Sequence, residues 1–162
     1  MRCIDKQTVV GAPVADVWDA WTTSEGARTF FGEDARIALE LGGPYEIFFD
    51  LSEPPGSQGS EGMRVLSFVP GEMVSFEWNA PPVFPDARSG PRTFVVVQLA
   101  AEGAGTRVRV RHLGWERLAD PDPVFAYFDR AWDFVLCWLE HRFTVGPVDW
   151  SSPPRPGESR CE

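Results

Sequence analysis

The chain has 162 residues and a formal net charge of −9, with 43% apolar and 24% charged residues. This length and balance are typical of one globular domain that can bury a real core. The acidic charge and the lack of a concentrated basic run argue against nucleic acid or an anionic membrane as a partner. No apolar stretch approaches the length of about 18 residues that a membrane span needs, and the N-terminus lacks the apolar region of a signal peptide, so we expect a cytoplasmic protein.

One strand and two short helices are predicted for the first part of the chain. Residues 3–10 alternate weakly between polar and apolar side chains, which is typical of a strand. Apolar residues then recur at helical spacing behind Pro13, which suits a first helical turn, and they predict a helix over about 13–22. A hydroxyl residue within 22–24 can cap a second short helix that ends at Gly32.

Alternating segments then predict an antiparallel meander of about six more strands. Two long stretches, 52–62 and 80–92, are rich in glycine, serine or proline and are predicted to be loops without regular structure of their own. The segment AEGAG forms the hairpin turn between the last two strands. The predicted strands cover residues 35–41, 42–50, 63–69, 73–79, 93–102 and the segment that begins at Gly105.

A long final helix follows, with Asp122 as the predicted cap and Pro123 as the first helical residue. Two apolar stripes run side by side along it, so the helix should be largely buried across a curved sheet. A single helix covers such a sheet incompletely, and we expect a pocket between the two. The second, widening stripe comprises residues 124, 127, 131, 134 and 138.

The predicted organisation is one domain over residues 1–145, followed by a flexible, proline-rich tail over residues 146–162. The three cysteines form no CxxC or Cys/His cluster, so we expect no metal site. No phosphate-cradling glycine loop, nucleophile elbow or zinc-protease motif occurs, and we expect no cofactor and assign no catalytic residue.

The last predicted strand carries a histidine where its pattern requires a hydrophobe. Arginines at 107, 109 and 111 occupy one face, which should be exposed and paired with neighbouring carboxylates. The opposite face is apolar except at Thr106 and His112. Three interpretations of His112 stay open: a buried, hydrogen-bonded structural residue, a polar group that orients a ligand, or an acid–base catalyst.

The chain resembles the helix-grip, Bet v 1-like (START/SRPBCC) superfamily, and within it the Hsp90-ATPase-activator-homologue-like group. The resemblance implies an α+β fold in which a curved antiparallel sheet of about seven strands, two short helices and one long C-terminal helix enclose a cavity. It also implies a cavity for small, mostly apolar molecules and makes a homodimer plausible. The resembling stretches are VVGAPVADVWDAWTTSEGARTFFG (9–32), GGPYEIFF (42–49), GMRVLSFVPGEMVSFEW (62–78), TFVVVQLAAEGAGTRVRVRHLGW (93–115) and AWDFVLCWLE (131–140).

Strand parity and the helical stripe predict which side chains line that cavity. Tyr45 and His112 are the predicted polar contacts to a ligand, because a buried hydroxyl or ring nitrogen needs a partner. The full predicted ligand-binding set is Phe30, Phe31, Tyr45, Ile47, Phe49, Met63, Val65, Phe76, Trp78, Val95, Val97, Val110, His112, Phe128, Trp132 and Leu136.

Three functions are compatible with these features. The first is a binding protein for a small apolar or aromatic molecule, without chemistry of its own. The second is a cyclase, dehydratase or hydrolase acting on an apolar cyclic substrate, which would require His112 and a carboxylate to meet in one cavity. The third is a chaperone-regulator-like interaction module, which would require an exposed apolar patch such as one around Val83 and Phe84.

Overall fold

A five-stranded antiparallel sheet covered by one long helix dominates the computed structural model, which describes residues 1–158. A separate two-stranded sheet brings the number of strands to seven, as expected for the helix-grip fold. The strands are β1 (Ile4–Val10), β2 (Asp34–Ile37), β3 (Tyr45–Phe48), β4 (Val65–Val69), β5 (Met73–Trp78), β6 (Thr93–Glu102) and β7 (Gly105–Leu113), and the large sheet has the order β1-β7-β6-β5-β4. The helices are α1 (Val14–Thr22), α2 (Ser24–Arg28), α3 (Pro85–Ser89) and α4 (Asp122–Thr144).

Backbone hydrogen bonds attach the small sheet to the chain that leads into β4. The Tyr45 amide donates to the Met63 carbonyl at 2.9 Å, and the Ser60 amide donates to the Ile47 carbonyl at 2.9 Å. Strand β3 therefore continues the curve of the large sheet beyond β4. This curvature brings the loop after β3 close to the end of β5. There the side-chain amide of Asn79 donates a hydrogen bond to the Gly59 carbonyl at 3.2 Å.

Helices α1 and α2 form the predicted pair with a sharp bend between them. The Thr23 hydroxyl accepts a hydrogen bond from the Gly26 amide at 2.9 Å, which caps α2 as its residue type suggests. The bend brings the backbones of the two helices into direct contact. A Cβ atom added at Gly26 would lie 2.2 Å from the Asp19 carbonyl oxygen, so only glycine fits there.

Helix α4 lies across the sheet and buries one broad face. The buried residues include Phe128, Trp132 and Leu139. Polar contacts fix the helix to the edge strand: the Lys6 ammonium lies 2.7 Å from an Asp133 carboxylate oxygen, and the Thr8 hydroxyl donates to Glu140 at 2.5 Å. Within residues 1–158, no helix is long and apolar enough to cross a membrane.

The arginine row of β7 lies on the outer face of the sheet, as predicted, and its members are paired. Arg107 pairs with Glu102, Arg109 makes two hydrogen bonds to Asp5, and Arg111 bonds to the Gln98 side chain. The Arg109 guanidinium also lowers the pKa of the Asp5 carboxyl group.

Two predictions from composition differ from the structure. The stretch 80–92, predicted to lack regular structure, contains the short helix α3, in which Pro85 occupies the favourable first position. Part of the segment 146–162, predicted as a flexible tail, is attached to the fold as far as Pro154, whereas residues 159–162 of that prediction lie outside the described residues. Val148 is buried and its amide donates to the Thr29 carbonyl at 2.9 Å, while the Trp138 indole donates to the Pro154 carbonyl at 3.0 Å.

Replacing Gly26 by alanine should destabilise the protein, although alanine is the better helix former by about 1 kcal/mol. The added methyl group would meet the backbone of Asp19 and Ala20, which cannot move without opening the α1–α2 pair. We expect Gly26→Ala to lower the free energy of unfolding by about 1–3 kcal/mol in urea titrations. The control is Gly11→Ala, where a Cβ meets nothing within 4 Å. Equal effects of the two substitutions would contradict the packing argument.

Candidate functional site

An open cleft of about 760 Å³ lies at one end of the sheet, between helix α4 and the loops that follow β3 and β5. Its volume is within the range of small-molecule sites. Most of its lining is apolar, and eight aromatic side chains contribute to it: Phe31, Phe49, Trp78, Tyr127, Phe128, Trp132, Phe134 and Trp138.

Three buried rings form the floor of the cleft. Phe31 stacks on Trp78 with ring centroids 5.6 Å apart, and Trp132 lies 5.9–6.0 Å from both. All three side chains are at most 3% exposed, and all three also border the cleft. These rings come from the turn after α2, the end of β5 and the middle of α4, so the floor joins three separate parts of the chain.

Helix α4 forms one wall through the second apolar stripe of its sequence. Tyr127, Ala131, Phe134 and Trp138 follow one another at spacings of three or four residues and border the cleft together. The sequence pattern alone indicates only that the helix is apolar over a wide arc. The structure shows that these four members of the second stripe face the cleft, whereas its fifth member, Val124, is buried elsewhere. Phe128, Trp132 and Val135 of the first stripe also border the cleft.

Arg88 of helix α3 holds the two loops of the opposite wall together. Its guanidinium donates to the carbonyl oxygens of Ala80 at 2.7 Å, Gly56 at 2.6 Å and Gly59 at 2.9 Å. The Glu61 carboxylate lies 3.4 Å away and accepts hydrogen bonds from the Gln58 and Gly59 amides. Partial burial lowers the pKa of Arg88, although the group remains a cation at any physiological pH.

The remaining charged groups of the lining lie at the rim of the cleft. Asp50, Glu53 and Arg130 are exposed, and hydrogen bonds from Ser52 lower the pKa of the Asp50 carboxyl group. The inner wall carries uncharged polar groups, chiefly the side-chain amide of Asn79. No group of histidine, cysteine, aspartate and glutamate side chains within residues 1–158 has the arrangement of a metal site.

His112 is a fully buried structural residue that joins the sheet to helix α4. Its Nδ1 accepts a hydrogen bond from the Trp132 indole at 3.1 Å, so its Nε2 carries the proton and donates to the Thr93 hydroxyl at 2.7 Å. Thr93 in turn donates to the Trp78 carbonyl at 3.2 Å. Burial lowers the pKa of His112 to about 3, so the ring is neutral at neutral pH.

Tyr45 is also bonded within the protein. Its hydroxyl donates to the Trp21 carbonyl at 2.7 Å, and its ring stacks on Phe76 with centroids 3.8 Å apart. Burial raises the pKa of the hydroxyl well above its ordinary value. The predicted polar pair, Tyr45 and His112, therefore lies in the packed interior and does not border the cleft.

The structure divides the sixteen predicted ligand-binding residues into two groups. Five border the cleft: Phe31, Phe49, Trp78, Phe128 and Trp132. The other eleven are buried but do not border it, because they fill the space between sheet and helix that was predicted to hold a ligand: Phe30, Tyr45, Ile47, Met63, Val65, Phe76, Val95, Val97, Val110, His112 and Leu136.

Residues 11–144 match the family model described as Activator of Hsp90 ATPase homolog 1-like protein. The chain belongs to this family. Membership accounts for the helix-grip architecture, and the resemblance to the Bet v 1-like (SRPBCC) superfamily is confirmed. No curated protein matches the sequence significantly.

Three solved structures illustrate the similarity of the fold. The solution structure of the Aha1 dimer from Colwellia psychrerythraea has a TM-score of 0.66 and 19% identity, covering 90% of this chain and 98% of that one. Protein MLL2253 from Mesorhizobium loti has a TM-score of 0.68 and 19% identity, covering 86% and 94%. CalU16 from Micromonospora echinospora has a TM-score of 0.65 and 20% identity, covering 89% and 77%. At these identities the likeness shows the fold of the family alone.

The neutral, buried state of His112 predicts that acid weakens the fold. The pKa of the ring is about 3 in the folded protein and about 6.5 in the unfolded chain, so below pH 6.5 the unfolded chain binds the extra proton. The stabilisation from this residue is complete above pH 6.5 and is lost as the pH falls towards 3, by up to about 1.4 kcal/mol per pH unit.

We expect His112→Gln to be less stable at pH 7, because the bonds to Trp132 and Thr93 are disturbed. Its stability should also depend less on pH than that of the unmodified protein. Urea unfolding at pH 7, 5.5 and 4.5 measures both effects. A difference between the two proteins that stays constant across this range would contradict the assigned protonation state.

Proposed function

We propose that the protein binds a small apolar or aromatic molecule in the cleft beside helix α4. The observation that carries this proposal is the aromatic lining. Large rings normally complete their packing inside the core, yet Phe49 and Tyr127 border the open space with 39% and 44% of their surface exposed, beside the buried rings of the floor. Apolar surface in a concave site gains free energy when a ligand displaces the water that covers it.

The volume and shape of the cleft support a ligand of moderate size. About 760 Å³ is enough for a molecule with several fused rings. The rings of the floor and of the α4 wall offer faces and edges for offset-stacked and edge-to-face contacts with an aromatic ligand. The proposed site is therefore an open cleft at the end of the sheet, in place of the enclosed cavity expected between sheet and helix.

The enzyme alternative receives less support from the arrangement of side chains. An acid–base pair built on His112 would need a carboxylate in the same cavity. The ring of His112 is bonded to Thr93 and Trp132, whereas the carboxylates of Asp50 and Glu53 lie at the rim of the cleft. Within residues 1–158, the polar groups of the cleft are suited to orienting a ligand. His112 does not border the cleft, so it does not meet these two carboxylates there.

The interaction-module alternative rests on the α3 loop. Val83 is 70% exposed, but Phe84 packs edge-to-face on Tyr127 with ring centroids 6.0 Å apart, and Val83 itself borders the cleft. The apolar residues of this loop therefore extend the α4 wall. A homodimer and a cytoplasmic location stay predictions, the former in keeping with the solved neighbour described as an Aha1 dimer.

Filling the cleft from helix α4 tests the proposal. Ala131 is a small, half-buried residue of the α4 wall, so Ala131→Trp should place an indole in the space a ligand would occupy. The probe is the neutral dye N-phenyl-1-naphthylamine, whose fluorescence rises in an apolar site. We expect the unmodified protein to bind the dye and Ala131→Trp to bind it at least about tenfold more weakly. A tenfold loss of affinity corresponds to about 1.4 kcal/mol, which is less than the free energy gained by burying one large apolar side chain.

The matched control is Ala126→Trp, which adds the same ring at an exposed position of α4 that does not border the cleft. It should bind the dye like the unmodified protein. Native mass spectrometry of protein purified gently from its own host should also show a bound mass that is absent from Ala131→Trp. Unaltered dye binding by Ala131→Trp, or no binding by any of the three proteins, would refute a ligand site in this cleft.

A further inference from the structure

The side chain of Asn79 presents an unused hydrogen-bond acceptor at the wall of the cleft. Asn79 is 8% exposed and follows the last residue of β5. Its amide nitrogen donates to the Gly59 carbonyl at 3.2 Å. A carbonyl oxygen can only accept, so this contact fixes which end of the amide faces Gly59. The oxygen Oδ1 is then turned away from Gly59, and none of the described residues donates a hydrogen bond to it.

The neighbouring Trp78 has an unused donor. Its side chain is 3% exposed and borders the cleft, and its indole N–H has no acceptor among the described residues. The other indoles near the cleft differ in this respect: Trp132 donates to His112, Trp138 to the Pro154 carbonyl and Trp150 to the Arg28 carbonyl. Two adjacent residues thus provide one free acceptor and one free donor in a largely apolar wall.

Neither atom is among the fully buried side-chain polar atoms of residues 1–158 that lack a partner, so both are open to the cleft, where water or a ligand can bond to them. A ligand that covers them must replace the hydrogen bonds of that water, because a polar group left unsatisfied on burial is costly. An amide oxygen and an indole N–H beside aromatic rings are therefore matched to polar groups that enter with a ligand. The acceptor of Asn79 requires a donor, such as a hydroxyl or N–H group. The donor of Trp78 requires an oxygen or another acceptor.

The charges around the cleft indicate that this ligand is uncharged. The guanidinium of Arg88 is held by three carbonyl oxygens and Glu61. The remaining charged side chains of the lining, Asp50, Glu53 and Arg130, are exposed. A charged group pressed against the aromatic floor would lose its hydration without gaining a counter-ion.

We propose that the ligand of the cleft is an uncharged aromatic molecule that carries a hydroxyl group, with Asn79 as the residue that selects it. The hydroxyl hydrogen donates to Asn79 Oδ1, and a ligand oxygen accepts from the Trp78 indole. The aromatic body of the ligand lies in the cleft against the exposed rings of Phe49 and Tyr127. This inference rests on the proposed binding function and adds the chemical class that the site prefers.

Calorimetric titration with 2-naphthol and 2-methoxynaphthalene at pH 7 tests the assignment. Both probes have the same rings and an oxygen that can accept from Trp78, but only 2-naphthol has a donor for Asn79. We expect 2-naphthol to bind the unmodified protein about tenfold more tightly, which corresponds to one neutral hydrogen bond. In Asn79→Leu, which keeps the side-chain volume and removes the acceptor, the two probes should bind equally, with the affinity for 2-methoxynaphthalene retained.

Gln7→Leu is the matched control, because it also exchanges a side-chain amide for leucine, at an exposed position of β1 that does not border the cleft. It should keep the preference for 2-naphthol. Asn79→Ser replaces the leucine variant if leucine at this position prevents folding. The serine hydroxyl is too short to replace the amide oxygen, so this variant should also lose the preference for 2-naphthol.

The outcomes separate this inference from the function on which it rests. If both probes bind and the preference is absent, survives in Asn79→Leu, or disappears in Gln7→Leu as well, selection by Asn79 is wrong while ligand binding stands. If neither probe binds the unmodified protein and the neutral dye does not bind either, the binding function fails and the inference fails with it.

Discussion

The bonding of the His112 ring fixes helix α4 to the sheet. One ring nitrogen accepts from the Trp132 indole of α4 and the other donates to Thr93 of β6, while His112 itself belongs to β7. A hydrogen bond in such a dry interior is strong and is costly to lose. Because Trp132 also forms part of the cleft floor, the depth of the cleft depends on this buried contact. A polar residue inside the core thus determines the shape of an apolar site at its edge.

Side-chain size explains why the open space lies at the end of the sheet. Stacked Tyr45 and Phe76 together with Trp21 and Phe30 fill the interior between α1, β3 and β5. Beyond Trp78 the chain leaves the sheet, and the prolines at 81 and 82 cannot supply the amide donors that would continue strand pairing. From that point on, loops instead of packed side chains border the space beside α4.

Sequence periodicity predicts the parts of this fold that depend on local alternation. The β6–β7 hairpin and the outward position of the β7 arginines are confirmed because both strands alternate without interruption. The predicted carboxylate partners are present for Arg107 and Arg109, whereas Arg111 bonds to the side-chain amide of Gln98. The cleft is harder to predict. Parity separates inward from outward residues, but it does not show which inward residues border an empty space. That depends on the loops tied by Arg88, whose partners at Gly56 and Gly59 are about thirty residues away in the chain.

The role of His112 illustrates the same limit. Its parity indicates burial, and burial is compatible with a structural residue, a ligand contact or a catalyst. The partner atoms decide between these, and they come from β6 and α4, elements whose relative placement no local pattern gives. Asn79 was not predicted at all, because an asparagine at the end of a strand is ordinary as a turn residue. Its significance lies in the unpaired oxygen, which only the three-dimensional arrangement reveals.

The attachment of the C-terminal segment links two regions that are distant in sequence. Trp138 borders the cleft, donates to the Pro154 carbonyl and packs edge-to-face on Trp150 with ring centroids 5.2 Å apart. A purification tag joined to the C-terminus therefore follows closely on a segment that packs against one wall of the cleft. The position of a tag is thus a structural variable for this protein, and a tag at the N-terminus leaves the contacts of Trp138 with this segment untouched.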